Sequence, residues 1–410
     1  MAGEDPIARA VEAYVDRGEF AGAATLVWRG GKVVQACAVG WRDMEALDLL
    51  QRDAIFRIAS MSKPVTSLAA AMLLEEGAFA LDEPITRWAP EFADMAVQRS
   101  PTGALDDTVP AERAITFGDL FTHRSGVTYG DFHPGPIDAA YYETLGPGID
   151  SPLTPDEWMA GLAGLPLIDQ PGAGFHYGHS IDVLGFLVAR IEGSTLGEVL
   201  QRRIFGPLGM VDTGFYVPPA KRHRRAQLYG FDEAGGPVAQ PAGNPRAGAV
   251  IPDRPEGMAY EGGGAGLFST LDDYLAFARV FIGDGAVDGL RLLKPATLAL
   301  MRTNQLTEQQ RAEGNMLGLA FNGHGFGLGF AVVMDPATAN PLRCQGGVGT
   351  VGWPGAYGGW WQADPTDGSV MIFLAQNVID LPQIQRGQGL GVYGAVMEFH
   401  DLARRSPAVA

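Results

Sequence analysis

Only two of the 410 residues are cysteine, and Cys37 and Cys344 lie far apart in the chain. A disulfide framework requires more cysteines at close spacing, so both are expected to be small buried residues. No apolar run reaches the roughly 18 residues that a membrane span needs. The first six residues include the acidic pair Glu4 and Asp5 and lack the pattern of a signal peptide. We therefore expect a cytoplasmic protein that is not attached to a membrane.

Positive charge is also scarce, because 30 lysines and arginines face 47 acidic residues and give a net charge of −17. This balance disfavours nucleic acid as a partner. The seven histidines are scattered without a zinc-binding spacing, and the glycines of residues 323–327 do not form a dinucleotide fingerprint. We expect no metal and no cofactor. The oligomeric state stays open, and a homo-oligomer is one of the alternatives.

Lysine is rare, yet one of the four lysines, Lys63, follows Ser60 by three residues at the start of an apolar segment. Residues three apart on a helix share a face, so the two side chains are predicted to be neighbours. Residues 68–76 are strong helix formers on nearly every face, and Gly77 suits a helix end. A serine in the first turn of such a helix can act as a nucleophile, with the lysine as base or proton relay. The alternative is a capping serine beside a solvated lysine.

A second proton-transfer group is needed, and Tyr177 is the candidate because it directly precedes the apolar helical pattern of residues 181–191. A nearby ammonium group favours the phenolate form of a tyrosine, so Lys63 and Tyr177 together form a workable pair. Ser180 offers a rival nucleophile, because Gly178-His179-Ser180 imitates the start of the hydrolase nucleophile elbow. That elbow ends in glycine and follows a strand, whereas here Asp182 takes the glycine position and a loop comes before.

The pattern along the chain predicts an α/β (α+β) fold. Residues 7–15 form an amphipathic helix, residues 23–37 form a β-hairpin, and residues 327–334, 359–363 and 370–375 form strands before a closing helix over 390–402. These strands suit one antiparallel sheet with the hairpin. We predict an α/β domain built from residues 1–80 and 256–410, and a mainly helical inserted domain over residues 81–255.

Five segments carry a family resemblance: Ser-x-x-Lys within residues 56–63, residues 115–126, the Tyr177 turn, residues 262–270 and residues 352–356. In order and spacing they resemble the serine hydrolases of the class C β-lactamase fold, above all the family VIII carboxylesterases. The match covers about Val27 to Asn377. It implies an antiparallel sheet flanked by helices with an inserted helical domain, and an acyl-enzyme on Ser60 with Lys63 and Tyr177 sharing the proton transfers.

The resemblance further implies an oxyanion hole formed by the backbone N–H groups of Ser60 and Ala356. The family's usual Lys-Thr-Gly or His-x-Gly motif is replaced by Trp353-Pro354-Gly355, and proline favours an edge strand at this place. The missing lysine removes a group that would bind a carboxylate, which favours small esters over β-lactams and peptides.

The family's Tyr-x-Asn is also changed, since His179 occupies the third position. We expect His179 either to bind Lys63 or to cap the helix. Substrate contacts are predicted for His179, Trp353, Gly355, Tyr357 and Tyr129, since aromatic walls are typical of small-molecule sites. The alternatives are a β-lactamase, a D-aminopeptidase or DD-peptidase, an acyltransferase with the same residues, or a binding protein without activity.

Overall fold

The computed structural model describes residues 5–133, 135–146, 148–240, 251, 253–316, 319–378, 383 and 386–405. Its centre is an eight-stranded antiparallel sheet. The strands, in chain order, are β1 (Gly22–Arg29), β2 (Lys32–Asp43), β3 (Asp48–Leu49), β4 (His324–Phe326), β5 (Ala331–Val333), β6 (Val351–Gly352), β7 (Trp360–Asp364) and β8 (Ser369–Ala375). Across the sheet they lie in the order β4-β5-β6-β7-β8-β1-β2-β3.

Both ends of the chain contribute to this sheet. Strand β1 pairs with β8 in antiparallel register, with Ala24 opposite Leu374, and on its other edge with β2 in the predicted hairpin. The predicted single sheet is therefore confirmed. The boundaries of the two domains stay a prediction.

The helices cover the sheet and fill the long segment between its two halves. They are α1 (Pro6–Asp16), α2 (Ser62–Glu75), α3 (Phe117–Phe121), α4 (Pro136–Leu145), α5 (Pro155–Ala163), α6 (Ser180–Glu192), α7 (Leu196–Leu200), α8 (Gly206–Leu208), α9 (Leu271–Ala278), α10 (Pro295–Met301), α11 (Glu308–Glu313) and α12 (Gly391–Arg405). Short strand pairs join Phe56–Arg57 to Phe268–Ser269, Ala96–Gln98 to Thr108–Pro110, Tyr229–Phe231 to Pro237–Ala239, Ala286–Val287 to Leu290–Arg291, and Asn315–Met316 to Leu319–Ala320.

Helix α2 is the central helix of the larger apolar core. Every residue from Ser62 to Leu73 is buried, as expected for a helix that is apolar on nearly every face. It packs against α6. The opposite face of the sheet is covered by α1 and α12, whose Val11 and Val396 join Phe373 of β8 in a second core. No helix among the described residues has the length and apolarity required to cross a lipid bilayer.

Two strand predictions were wrong. Residues 327–334 were expected to form one strand, but the chain turns between β4 and β5, with Gly329 at a φ of 98° that favours glycine. The strand before Trp353 was expected at a sheet edge, yet β6 pairs with β5 and β7. The structure accommodates Pro354 because β6 ends at Gly352, so proline's missing N–H removes no ladder hydrogen bond.

Candidate active site

Ser60 lies in a tight turn directly before α2. The α-helix begins at Ser62, and Ala59–Met61 forms a 3-10 turn in front of it. Ile58 N–H donates to the Leu267 carbonyl at 3.0 Å, and Leu267 N–H donates to Ser62 Oγ at 3.1 Å, so the turn is fixed on both sides. Ala59 has a φ of 44°, a backbone region that costs a non-glycine residue roughly 1 kcal/mol. The strain sits next to the predicted nucleophile.

Lys63 lies one turn later, and its side chain is completely buried. Its Nζ donates to Ser60 Oγ at 3.3 Å, to the Tyr129 hydroxyl at 2.9 Å and to the Gly264 carbonyl at 2.8 Å. An ammonium group carries three N–H donors, and here each has one acceptor. The predicted contact between Ser60 and Lys63 is therefore present in the structure.

The ring of Tyr177 lies beside Lys63. The Nζ of Lys63 lies 4.6 Å from the centroid of the Tyr177 ring, in cation–π range. The Tyr177 hydroxyl accepts a hydrogen bond from Trp353 Nε1 at 3.1 Å, and the two side chains are almost fully buried. No hydrogen bond joins the hydroxyl to Ser60 or Lys63 in this structure. The structure thus places the Tyr177 ring beside Lys63, but the hydroxyl does not make the hydrogen bond that proton transfer from Ser60 requires.

Tyr129, predicted as a substrate contact, accepts a hydrogen bond from Lys63 through its hydroxyl. Burial, reinforced by Asp182 and Tyr177, raises the pKa of the Tyr129 hydroxyl well above its ordinary value. This hydroxyl therefore stays neutral and serves as an acceptor for Lys63. The Tyr129 and Tyr177 rings meet edge to face at 5.6 Å, and Phe132 lies 6.0 Å from Tyr177, so aromatic rings form the wall around the pair.

Residues 355–357 run beside the Ser60 turn. A methyl group added to Gly355 would lie 2.5 Å from the Ile58 carbonyl oxygen, so the two backbones touch. Tyr357 packs on Ala59 in a small buried cluster. Ala356 lies between these contacts, and its N–H has no acceptor among the described residues. Such a free donor next to the nucleophile turn fits an oxyanion site.

His179 is the N-cap residue of α6, as one of the two predictions had it, but its side chain does not bind Lys63. Its Nδ1 pairs with Asp182 Oδ2 at 2.9 Å, and its side chain makes no capping bond to α6. Asp182 also accepts from Gly264 N–H at 2.7 Å, which holds the carbonyl that receives Lys63. Neither Asp182 nor Gly264 was predicted to belong to this network. Asp182 lies in a helical pattern and Gly264 in a glycine-rich segment, and neither pattern indicates that the two residues are in contact.

The rival nucleophile Ser180 is fully buried at the start of α6. Its hydroxyl is hydrogen-bonded to Ser125 Oγ at 2.8 Å. Ser125 also accepts from Val127 N–H at 3.1 Å. These contacts explain Ser180 as a packing residue that ties α6 to the loop after α3.

The fold and the Ser60–Lys63 pair define a serine hydrolase of the β-lactamase fold. A family model described as Beta-lactamase matches residues 7–383, so the chain belongs to this family. An uncharacterized protein of Mycobacterium tuberculosis is 47% identical over 89% of this chain and 88% of its own length. Esterase EstB of Burkholderia gladioli is 32% identical over 88% of this chain and 86% of its own length.

Among solved structures, this chain is similar to EstCE1, described as a hydrolase with promiscuous acyltransferase activity. The TM-score is 0.74 and the sequence identity 29%, over 95% of this chain and 97% of that one. The relatives therefore include an esterase, and the antiparallel sheet with flanking helices is shared.

Proposed function

We propose that the protein is a carboxylesterase that cleaves small acyl esters through an acyl-enzyme on Ser60. The observation that carries the proposal is the buried hydrogen bond from Lys63 to Ser60 Oγ, next to a tyrosine whose hydroxyl is bound by Trp353. Because Ser60 Oγ accepts a hydrogen bond from Lys63, its own proton is free to leave toward another acceptor. This arrangement activates a serine without a histidine.

In the proposed reaction, Ser60 Oγ attacks the ester carbonyl carbon while its proton passes to Tyr177. The hydrogen bond from Trp353 and the positive charge of Lys63 stabilise the phenolate that accepts this proton. The N–H groups of Ser60 and Ala356 hold the oxyanion until the carbon–oxygen bond of the alcohol breaks. The alcohol leaves with the proton from Tyr177, and water then attacks the acyl-enzyme with the same groups in reverse.

This route requires the Tyr177 hydroxyl to approach Ser60 Oγ when substrate binds. Catalytic hydrogen bonds are often absent in unliganded enzymes and tighten in the substrate complex. Tyr177 lies in the loop before α6, and Ser60 lies in the turn before α2.

The side chains at the site support a preference for esters. Trp353 occupies the place of a cationic residue that would bind a carboxylate, and it is turned toward Tyr177. His179 has no side-chain amide to replace that of the family's asparagine, and its Nδ1 is engaged with Asp182. We propose that Tyr129 and Trp353 form the wall of the substrate site, with Gly355 and Tyr357 shaping its floor.

The test compares Ser60→Ala with Ser180→Ala on p-nitrophenyl acetate and on nitrocefin. We expect S60A to lose turnover of the ester completely and S180A to keep it, because Ser180 is buried and bonded to Ser125. Wild-type enzyme should hydrolyse the ester much faster than nitrocefin. Ester turnover that survives in S60A would refute the nucleophile, and equal efficiency on both substrates would refute the preference for esters.

Acyl transfer to an alcohol is a second candidate function. Ser60 is only 9% exposed, and its neighbour Lys63 is covered by the rings of Tyr129 and Tyr177, a setting that limits access of water to the acyl-enzyme. EstCE1, described with acyltransferase activity, also supports it. Hydrolysis of p-nitrophenyl acetate in the presence of an added primary alcohol tests this candidate. Formation of the new acetate ester supports transfer, and acetate as the sole product refutes it.

A further inference from the structure

His123 lies directly behind Tyr177, in the turn after α3. Its side chain is fully buried among the rings of Phe175, Tyr177 and Phe326, with the Tyr177 ring centroid 4.7 Å away. The backbone of His123 has a φ of 54°, an uncommon conformation for a residue other than glycine. A buried polar residue in a strained conformation beside a reacting group requires a physical reason.

Two hydrogen bonds connect His123 to the residues on either side of Tyr177. His176 N–H donates to the His123 carbonyl at 2.7 Å, and Gly178 N–H donates to His123 Nδ1 at 3.3 Å. One residue therefore satisfies the backbone donor before the tyrosine and the one after it. A methyl group on Gly178 would lie 2.2 Å from the Thr128 carbonyl carbon, so the turn is also closely packed against the Thr128 backbone.

We infer that His123 is a positioning residue that holds the Tyr177 phenol at Lys63 through the acceptor at its Nδ1. The inference rests on the proposed role of Tyr177. Because Nδ1 accepts a hydrogen bond, the neutral ring carries its proton on Nε2, which has no partner among the described residues. Burial, with smaller effects from Lys63 and His179, lowers the pKa of His123 well below its ordinary value. The acceptor is therefore retained at neutral pH.

A pair of amide variants separates the acceptor from the mere presence of a polar side chain. In His123→Asn the amide oxygen takes the place of Nδ1, and asparagine tolerates the positive φ. In His123→Gln the amide lies one bond further out and misses Gly178 N–H. We expect H123Q to lower kcat on p-nitrophenyl acetate by about 10²-fold, the effect of a catalytic group displaced by about 1 Å. H123N should stay close to wild type.

His400→Asn is the matched control. His400 is also a fully buried histidine, but it lies on α12, and its ring is hydrogen-bonded to the backbone carbonyl of Gln345. H400N should leave kcat unchanged even where it lowers the melting temperature. KM should change little in H123Q, because the loss concerns the orientation of Tyr177 and not substrate binding. A general packing defect would instead lower kcat in H400N as well.

The double variant H123Q/Y177F measures whether His123 acts through Tyr177. We expect H123Q to cause no further loss in the Y177F background, because the group that it positions is already absent. Equal kcat values for H123N and H123Q, or the same loss from H123Q with and without the Tyr177 hydroxyl, would overturn the inference. Unchanged kcat in H123Q beside an inactive Y177F refutes the inference alone. A fully active Y177F refutes the proposed proton route, and the inference with it.

Discussion

The segments that carry Ser60 and Tyr177 are held in place in different ways. Ser60 and Lys63 lie three residues apart at the start of α2, and local helical geometry brings their side chains together. Tyr177 stands in a loop before α6, and it is held by contacts from distant parts of the chain: His123 behind it and Trp353 at its hydroxyl. The first half of the site is set by spacing, the second by tertiary structure.

This difference indicates how the two halves respond to change. The Ser60 turn is anchored by the Leu267 backbone, whose carbonyl accepts from Ile58 N–H and whose N–H donates to Ser62 Oγ. The Tyr177 turn depends in part on His123, a side chain that does not touch substrate in the proposed reaction. We therefore expect remote substitutions to affect the Tyr177 half more than the Ser60 half.

Removing the ammonium group of Lys63 disrupts the Ser60 half of the site and should have the largest effect on activity. Lys63→Met keeps a long apolar chain in the buried position but loses the hydrogen bonds to Ser60, Tyr129 and Gly264. We expect kcat/KM on p-nitrophenyl acetate to fall by at least about 10³-fold. Lys294→Met is the control. The Lys294 side chain is 68% exposed, and its ion pair with Glu75 is long, at 3.8 Å. Near-normal activity in K63M would contradict the account.

The two tyrosines at Lys63 sharpen the comparison. Tyr177→Phe removes the proposed proton acceptor and should lower kcat by about 10²-fold to 10⁴-fold. Tyr129→Phe removes one hydrogen-bond acceptor of Lys63 but no group that exchanges protons. We therefore expect its decrease in kcat to be at least tenfold smaller than that of Y177F. Steady-state kinetics on the same ester decides between them. A larger loss in Y129F would reassign the proton transfer to Tyr129.

A methyl group at the oxyanion segment tests how closely the two backbones must approach. In Gly355→Ala the new carbon would lie 2.5 Å from the Ile58 carbonyl oxygen, so the segment with Ala356 must move away from Ser60. We expect kcat to fall by about 10²-fold, comparable to the loss of one oxyanion donor. Gly214→Ala serves as control, because its nearest atom would be 3.9 Å away. Full activity in G355A would exclude Ala356 as a donor.

The smallest effect concerns stability and pH. Burial lowers the pKa of His123, His324 and His400, so the folded chain binds fewer protons there than the unfolded chain. Their contribution to stability is present above the ordinary histidine value near 6.5 and is lost as the pH falls below it. Each histidine contributes at most about 1.4 kcal/mol per pH unit.

Urea unfolding at pH 7.5 and 5.5 measures this loss. The free energy of unfolding should decrease on acidification, and the decrease should be smaller in His400→Asn, where one of the three groups cannot titrate. An identical decrease in H400N and wild type would contradict the assignment of this pH effect to the buried histidines.

The parts that follow from local spacing were predictable. The pair Ser60 and Lys63 follows from the period of a helix, and the hairpin of β1 and β2 follows from two apolar runs joined by the Gly30-Gly31 turn. The turn between β4 and β5 was missed because a continuous apolar run shows no break, and the bend depends on the positive φ of Gly329. Periodicity reports which face is buried, and gives no information on such a turn.

The parts that depend on tertiary contact were not predictable. Tyr129 was predicted to contact substrate, yet its hydroxyl binds Lys63, 66 residues away in sequence. The hydrogen bond from Gly264 N–H to the Asp182 carboxylate joins residues 82 positions apart. Neither segment has a pattern that specifies its partner, because a single tyrosine or aspartate is equally suited to many neighbours. The catalytic roles of Ser60, Lys63, Tyr177 and Ala356 stay predictions.

The most direct test of the central claim is peptide mapping by mass spectrometry after reaction with a fluorophosphonate. This reagent labels an activated serine covalently, so the account predicts one adduct, on the peptide that contains Ser60, and its loss in K63M. Ser180 should stay unlabelled. An adduct on Ser180, or no adduct on Ser60 in an enzyme that hydrolyses esters, would contradict the account.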